Sequence, residues 1–180
     1  MIAAFDLSFT GTGWAIKDDH GLRTGIIESD PAQSPLQRMI HIADQVIAIL
    51  HSAAPPKLVV LEGFAHGRAF QAHQMGGLGY IVREALQDHN FIWIDVAPKA
   101  LKKFVSGNGN ANKDVMIKNV YKRFSYDTDD SNVADAVGLV YVGMAVEGLW
   151  EPTTAEQRAV VDELTGKTTK VKKARKRKEA

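Results

Sequence analysis

The chain has 180 residues, 45% of them hydrophobic, a composition typical of one globular domain with a substantial core. It contains no cysteine, which excludes disulfide bonds and thiolate-bound zinc, and it has neither a membrane-spanning apolar run nor a signal-peptide pattern, so we expect a cytoplasmic protein that does not enter a membrane. The net charge is +1, but residues 167–180 alone carry +7, so the rest of the chain carries −6.

Short apolar runs alternate with segments of helical periodicity through residues 1–150. We expect strands at 2–6, 14–17, 22–27, 58–62 and 91–96, and helices at 36–50, 71–86, 98–104, 112–124 and 132–148. The runs LVVLE and FIWIDV are typical of strands buried on both faces of a sheet, and Ser131 is the expected N-cap of the last helix. Strands that alternate with helices predict an α/β sheet.

The first strand ends on a carboxylate, Asp6, which is followed by a turn rich in Gly, Ser and Thr. A charge at the end of an apolar run is costly unless something compensates it. One interpretation is that Asp6 accepts hydrogen bonds from the backbone amides of Ser8 or Thr10 and so caps the turn. The other is that Asp6 holds a metal or takes part in chemistry.

Two further acids occupy comparable places. Glu62 ends the strand LVVLE, and Asp135 lies one residue from the apolar stripe of the last helix, where we expect it to be partnered. If the first and fourth strands are neighbours, Asp6 and Glu62 meet at one sheet edge, and the helix can add Asp135. Three such carboxylates repel each other unless divalent cations such as Mg²⁺ neutralise them. The alternatives are that Glu62 accepts an N-cap hydrogen bond and that Asp135 pairs with an Arg or Lys.

Four stretches in this order, AFDLSFTGTGWAI, VVLEGF, APKALKKFVSGNGNANK and NVADAVGL, together resemble the RuvC-type Holliday junction resolvases of the RNase H-like superfamily. The resemblance runs from residue 2 to about 146, and the chain is similar to a phage-borne or otherwise divergent member of the family. It implies a five-stranded mixed β-sheet flanked by α-helices in residues 1–150. It also implies a homodimer that binds branched DNA and uses Mg²⁺ or Mn²⁺, two ions per active site, to hydrolyse phosphodiester bonds.

The resemblance also implies roles for particular residues. Asp6, Glu62 and Asp135 match metal-binding acids of the family, but the remaining acid falls at Asn132, which is neutral. Three interpretations stay open: Asn132 is a natural, weaker ligand; a neighbouring acid of the preceding loop replaces it; or the Asn is an engineered replacement of Asp that would leave a protein able to bind DNA but poorly able to cut it. The acids of that loop are Asp129 and Asp130.

The segment SGNGNANK precedes a predicted helix and has two interpretations. Backbone amides near Gly107 and Gly109 and the helix dipole can form an anion site, or the segment is a left-handed turn with Asn caps. Lys113 lies in the first helical turn, where a cation is unfavourable to the dipole, so we expect it to contact a phosphate. In the family, this lysine and the one that matches Lys102 contact DNA or stabilise charge near the scissile phosphate. We expect the adjacent Lys103 to contact DNA as well. The alternative is that Lys102 and Lys103 form a solvated helix face.

An aromatic residue that follows the strand-ending acid stacks on junction bases in the family. Phe64 or Phe70 is the expected wedge here, or both are core residues, and Arg68 is expected to contact a phosphate. Residues 151–166 are expected to form a weak helical extension and residues 167–180 a disordered basic tail that binds DNA or only keeps the chain in solution. The expected DNA contacts of the tail are Lys172, Lys173, Arg175 and Arg177.

The function expected is a metal-dependent, structure-selective DNA endonuclease. One alternative is a non-catalytic protein that binds branched DNA through a degenerate site. A nucleotide-binding domain of the actin and sugar-kinase type is a further alternative because DLSFTGTG is similar to a first phosphate loop, but 180 residues are too few for its two domains.

Overall fold

The computed structural model describes residues 1–52, 54–63 and 69–167, and of residues 69–72 only the backbone. Strands and helices alternate as predicted. In chain order the elements are β1 (Ile2–Asp6), β2 (Thr12–Asp18), β3 (Gly21–Ile27), α1 (Pro35–His51), β4 (Leu58–Glu62), α2 (Ala69–Asp88), β5 (Trp93–Val96), α3 (Pro98–Ser106), α4 (Lys113–Phe124), α5 (Ser131–Val146) and α6 (Ala155–Leu164).

The five strands form one mixed sheet in the order β3-β2-β1-β4-β5. The strands β1, β2 and β3 form an antiparallel meander, whereas β4 lies parallel to both β1 and β5. In the parallel pair of β1 and β4, Phe5 lies opposite Leu61. The next residue of each strand is an acid, so Asp6 and Glu62 end neighbouring strands at the same edge of the sheet.

The sheet separates two hydrophobic cores. Ile2 and Ala4 of β1 pack with α3, α4, α5 and α6 on one face, and Ala3 and Phe5 pack with α1 and α2 on the other. Because side chains alternate between the faces of a strand, Asp6 belongs to the face that α5 covers. The same alternation in β4 assigns Glu62 to that face, since Leu58 and Val60 lie in the first core.

The structure corrects two predictions about element ends and burial. The segment 91–96 is not a strand buried on both faces: β5 is a four-residue edge strand in which only Val96 is buried. The N-cap of α5 is Asp130 and not Ser131, because Asp130 Oδ1 accepts hydrogen bonds from the amides of Asn132 at 2.7 Å and Val133 at 3.1 Å.

The packing of α2 and α6 shows which of their residues are buried in the fold. In α2, Leu78, Val82 and Leu86 are fully buried against the second core, so this row is core and not a dimer interface. The segment expected as a helical extension contains α6, which packs on α3, has a capping box at Thr154 and fully buries Gln157. None of the helices in the described ranges is long and apolar enough to cross a membrane.

Candidate active site

Three of the predicted acids come together where β1 and β4 end beneath α5. The side chains of Asp6 and Glu62 share a hydrogen bond, and the charge of Asp135 acts on Asp6 while that of Glu62 acts on Asp135. Asp6 is buried, with 7% of its surface exposed, and the other two are half-buried. The cluster arises because two parallel strands and one helix each contribute an acid at the same sheet edge.

The environment disfavours negative charge on all three carboxyls. Burial raises the pKa of Asp6 well above its ordinary value, and the charges of Glu62 and Asp135 raise it further. Burial also raises the pKa of Glu62, although the hydrogen bond from Asp6 opposes the shift. Burial, followed by the charge of Glu62, raises the pKa of Asp135 to about 7.

Asp135 is not partnered in the way the sequence predicts. Its Oδ1 atom is buried and accepts no hydrogen bond within the part of the chain that the structure describes. Among those residues, no group of three or more acidic or histidine side chains is arranged so that it could hold a metal ion as it stands, and Asp6 and Glu62 bond to each other. The donor chemistry nevertheless suits a hard divalent cation, because all the candidate ligand atoms are carboxyl oxygens, one of them has no hydrogen bond, and the carboxyls repel each other when ionised.

The turn after β1 excludes the capping interpretation of Asp6. The amide of Ser8 donates to Oγ1 of Thr12 at 3.0 Å, and the amide of Thr10 donates to Oγ of Ser8 at 3.3 Å. Hydroxyl groups thus accept from the two amides that Asp6 was expected to cap. Its carboxyl faces the acid cluster instead.

Asn132, the predicted fourth ligand, sits on the first turn of α5. Its Nδ2 donates to the backbone oxygen of Gly11 at 2.7 Å. Gly13 permits this approach, since a Cβ at Gly13 would lie 2.1 Å from the backbone oxygen of Asn132. Of the loop acids, Asp130 is engaged as the N-cap and Asp129 is exposed. Metal binding by Asn132 or by either loop acid stays a prediction.

Two of the three predicted lysines act on the acid cluster. Lys113 is the first residue of α4, and its charge lowers the pKa of Asp6 and Asp135. Lys102, on α3, acts on Glu62 and Asp135. The charge of the adjacent Lys103 instead acts on Glu156 of α6, because consecutive residues point in different directions around a helix.

The glycine-rich segment has the turn-and-cap structure that was one of its two interpretations. Gly107 ends α3 in the left-handed region, with φ of 82°, and Asn112 is the N-cap of α4 because its Oδ1 accepts from the amide of Val115. Asn108 closes the intervening turn by accepting from the amide of Asn110. Phosphate binding there stays a prediction.

Phe64, Arg68 and the tail residues Lys172, Lys173, Arg175 and Arg177 lie outside the described residues, and only the backbone of Phe70 is described, in the first turn of α2.

Sequence reasoning also missed Arg38 on α1, which contacts the turn that follows Asp6. Its Nη2 donates to the backbone oxygen of Phe9 at 2.7 Å. No sequence signal distinguishes it from a solvated helix arginine.

Comparison with known proteins connects this geometry to a family. No family model matches the chain. The curated proteins that match it include two named crossover junction endodeoxyribonuclease RuvC. That of Mesorhizobium japonicum is 25% identical over 146 residues, covering 77% of this chain and 85% of the relative. That of Brachyspira hyodysenteriae is 28% identical over 120 residues, covering 66% of this chain and 75% of the relative.

The solved structure of Thermus thermophilus RuvC superimposes with a TM-score of 0.64 at 21% identity, over 82% of this chain and 96% of that one. The same protein in complex with a Holliday junction substrate also gives a TM-score of 0.64, over 77% of this chain and 89% of that one. These structures confirm the five-stranded mixed sheet of the RNase H-like fold. By sequence and by fold, the chain is similar to the RuvC-type resolvases.

Proposed function

We propose that the chain is a metal-dependent endonuclease that resolves Holliday junctions and other branched DNA by phosphodiester hydrolysis. The observation that carries this proposal is the cluster of Asp6, Glu62 and Asp135, whose pKa values are all raised. Such a cluster is costly to a folded protein, and a site of function is where this cost is expected. The names of the curated relatives supply the reaction, and the solved complex of Thermus thermophilus RuvC with a Holliday junction supplies the substrate.

The acids would hold Mg²⁺ or Mn²⁺, two ions per active site in this proposal. Supporting this are the all-oxygen donor set, the unused buried Oδ1 of Asp135 and the mutual repulsion of the carboxyls. The amide oxygen of Asn132 is a further candidate ligand, weaker because it is neutral. When bound, a pair of divalent ions supplies an activated water and stabilises the attacking and leaving oxygens of a phosphodiester.

The lysines at the cluster have a separate task. Lys113 and Lys102 place positive charge beside the acids, where a phosphate of the scissile strand would otherwise meet only negative charge. They would attract that phosphate and balance the charge that develops on it. Lys103, Phe64, Phe70, Arg68 and the basic tail would extend the contacts along the DNA arms, the aromatic rings by stacking on bases and the cations by contacting phosphates.

Two symmetric cuts in a four-way junction need two active sites, so the proposal includes a homodimer. The buried row Leu78, Val82 and Leu86 of α2 does not supply its interface. Measuring the mass of the protein in solution, with and without junction DNA, tests this part of the proposal.

The decisive experiment is cleavage of an end-labelled four-way junction by the parent chain and by Asp6→Asn, with Asp44→Asn as the control at an exposed acid of α1. With Mg²⁺ or Mn²⁺, the parent and the control should cut, and Asp6→Asn should lose more than about 100-fold in rate while still binding the junction. With Ca²⁺, binding without appreciable cutting is expected. Cutting by Asp6→Asn at the parental rate would contradict the proposal.

A non-catalytic protein that binds branched DNA remains the second candidate, because a neutral Asn132 stands where the family has an acid. Junction binding by the parent chain with no cleavage in either Mg²⁺ or Mn²⁺ would support it. Restoration of cleavage by Asn132→Asp would then identify the missing acid as the cause.

A further inference from the structure

The turn of residues 7–11, which follows Asp6, is held by contacts on two sides. Inside the turn, Oγ1 of Thr12 donates to the backbone oxygen of Ser8 at 2.8 Å and accepts from its amide at 3.0 Å. These contacts shape the turn but do not fix it relative to the helices. That task falls to one side chain from α1 and one from α5.

The outer contact comes from Arg38 of α1. Its Nη2 donates to the backbone oxygen of Phe9 at 2.7 Å, and its guanidinium lies 5.1 Å from the centre of the Phe9 ring. Ser29 completes the contact: its hydroxyl donates to the same backbone oxygen at 2.6 Å and accepts from Nε of Arg38 at 2.9 Å. This side of the turn is held by a charge-assisted network.

The inner contact comes from Asn132, whose Nδ2 donates to the backbone oxygen of Gly11 at 2.7 Å. Asn132 precedes Asp135 by one turn of α5, so this hydrogen bond ties the turn after Asp6 to the helix that carries Asp135. Gly13 allows the backbone of α5 to lie against β2 at this point. The partner of Asn132 is a carbonyl oxygen and therefore requires a donor.

We propose that Asn132 is a positioning residue that acts through its amide nitrogen, and that the divalent-cation pocket is built from the carboxylates of Asp6, Glu62 and Asp135. Arg38 fixes the turn of residues 7–11 relative to α1 and Asn132 fixes it relative to α5, so the acids are held in place before an ion binds. An aspartate at position 132 cannot do this at neutral pH, because its carboxylate has no proton to donate and would face the Gly11 oxygen. This inference rests on the proposed metal site, but it departs from the four-acid pattern and gives Asn132 a positioning role in place of the ligand role considered above.

The test measures Mn²⁺ affinity from the electron paramagnetic resonance signal of free Mn²⁺ and thermal unfolding in EDTA. Asn132→Ala should weaken Mn²⁺ binding about tenfold and lower the Tm by about 2–8 °C. Asn132→Asp should bind Mn²⁺ no more tightly than the parent. The matched controls are Asn119→Ala and Asn119→Asp, because Nδ2 of Asn119 also donates to a backbone oxygen, that of Val115 at 2.8 Å, and these should behave as the parent.

A second pair of variants keeps the test decisive if Asn132→Ala does not fold. Arg38→Met removes a positive charge, and electrostatics alone would therefore make Mn²⁺ bind more tightly. The inference predicts the opposite, about tenfold weaker Mn²⁺ binding, because the turn of residues 7–11 is no longer held against α1. Arg158→Met is its control, since Arg158 also donates to a backbone oxygen, that of Pro152 at 2.9 Å. Unchanged or tighter binding by Arg38→Met would overturn the inference.

The outcomes separate the inference from the function on which it rests. If the parent chain binds no Mn²⁺, the proposed metal site fails. If the parent binds Mn²⁺ but Asn132→Asp binds it more tightly, or Asn132→Ala matches Asn119→Ala, the metal site stands and only the positioning role of Asn132 is overturned.

Discussion

The carboxyl groups of Asp6 and Glu62 share a hydrogen bond at the ends of two adjacent parallel strands. Two ionised carboxylates cannot make such a bond, so without a cation the pair shares one proton. A divalent cation would take the place of this proton. The metal-free protein and the metal-bound protein should therefore respond to pH in different ways.

The first prediction concerns the stability of the metal-free protein. Asp135 titrates near pH 7 in the folded chain and near its ordinary value of 3.8 when unfolded, and the pKa values of Asp6 and Glu62 are raised as well. Between these values the folded state binds more protons than the unfolded state, so the free energy of unfolding should fall as the pH rises from about 4 to about 7. Urea unfolding in EDTA across this range measures the slope.

Saturating Mg²⁺ supplies the matching control for this slope. A bound cation replaces the protons and stabilises the ionised carboxyls, so the loss of stability toward pH 7 should largely disappear. A metal-free protein whose free energy of unfolding rises through the same interval would contradict the raised pKa values of the cluster.

The second prediction isolates Asp135. Asp135→Asn removes a half-buried charge that raises the pKa of Asp6, and it leaves a side chain of nearly the same shape. In EDTA at pH 8 we expect a higher Tm than that of the parent, and at pH 5 a much smaller difference, because Asp135 is protonated there. Cleavage should fall by more than about 100-fold. Asp129→Asn, at an exposed acid of the preceding loop, should change neither the Tm at pH 8 nor its dependence on pH.

Much of this cluster was predictable from two short stretches of sequence. IAAFD and LVVLE place an acid at the end of each of two buried strands, and strand alternation assigns both acids to one face once β1 and β4 are neighbours. That pairing was a hypothesis at the level of sequence, because strand order depends on contacts between distant segments. The stretch NVADAVGL then predicted Asp135 as the third acid of the cluster.

The misses have identifiable physical causes. Asp130 and Ser131 are both good N-cap residues, and only the backbone geometry distinguishes them. An apolar run such as the one that contains β5 shows that a strand forms but not that it lies at the edge of the sheet. The hydrogen bond from Arg38 to the backbone oxygen of Phe9 joins residues 29 positions apart, and a single sequence gives no sign of such a contact.

The third prediction concerns the different roles of Lys102 and Lys103 on α3 and of Lys113 on α4. Lys102 and Lys113 act on the acids, whereas Lys103 acts on Glu156. Lys113→Gln and Lys102→Gln should therefore slow single-turnover cleavage under saturating enzyme, because positive charge beside the scissile phosphate is lost. Lys103→Gln should affect the junction Kd more than the rate.

Comparing the rate at saturation with the Kd for each lysine variant decides this prediction. If Lys103→Gln slowed cleavage as much as Lys113→Gln, Lys103 would act at the active site, and the prediction would be wrong. Lys103→Gln should keep the parental Tm within about 2 °C, since its charge acts on the exposed carboxyl of Glu156. Lys102→Gln and Lys113→Gln should lower the Tm of the metal-free protein at neutral pH, because each removes a charge that favours the ionised acids.

The fourth prediction concerns residues 167–180, which carry a net charge of +7. A chain that ends at Gly166 keeps α6 complete, because that helix runs only to Leu164. It should bind junction DNA more weakly, and log Kd should depend less steeply on log salt concentration, by about 0.9 for each phosphate contact that is lost. Because the tail supplies affinity and not chemistry in the proposed function, the single-turnover rate at saturating enzyme should match that of the full chain.

A tail of the same length in which Lys172, Lys173, Arg175 and Arg177 are replaced by Gln distinguishes charge from chain length. It should lose a large part of the affinity and of the salt dependence that the truncated chain loses, and duplex DNA and junction DNA should be affected alike, since phosphate contacts carry no information about branching. A selective loss of junction binding, with duplex binding unchanged, would show instead that the tail recognises the branch point.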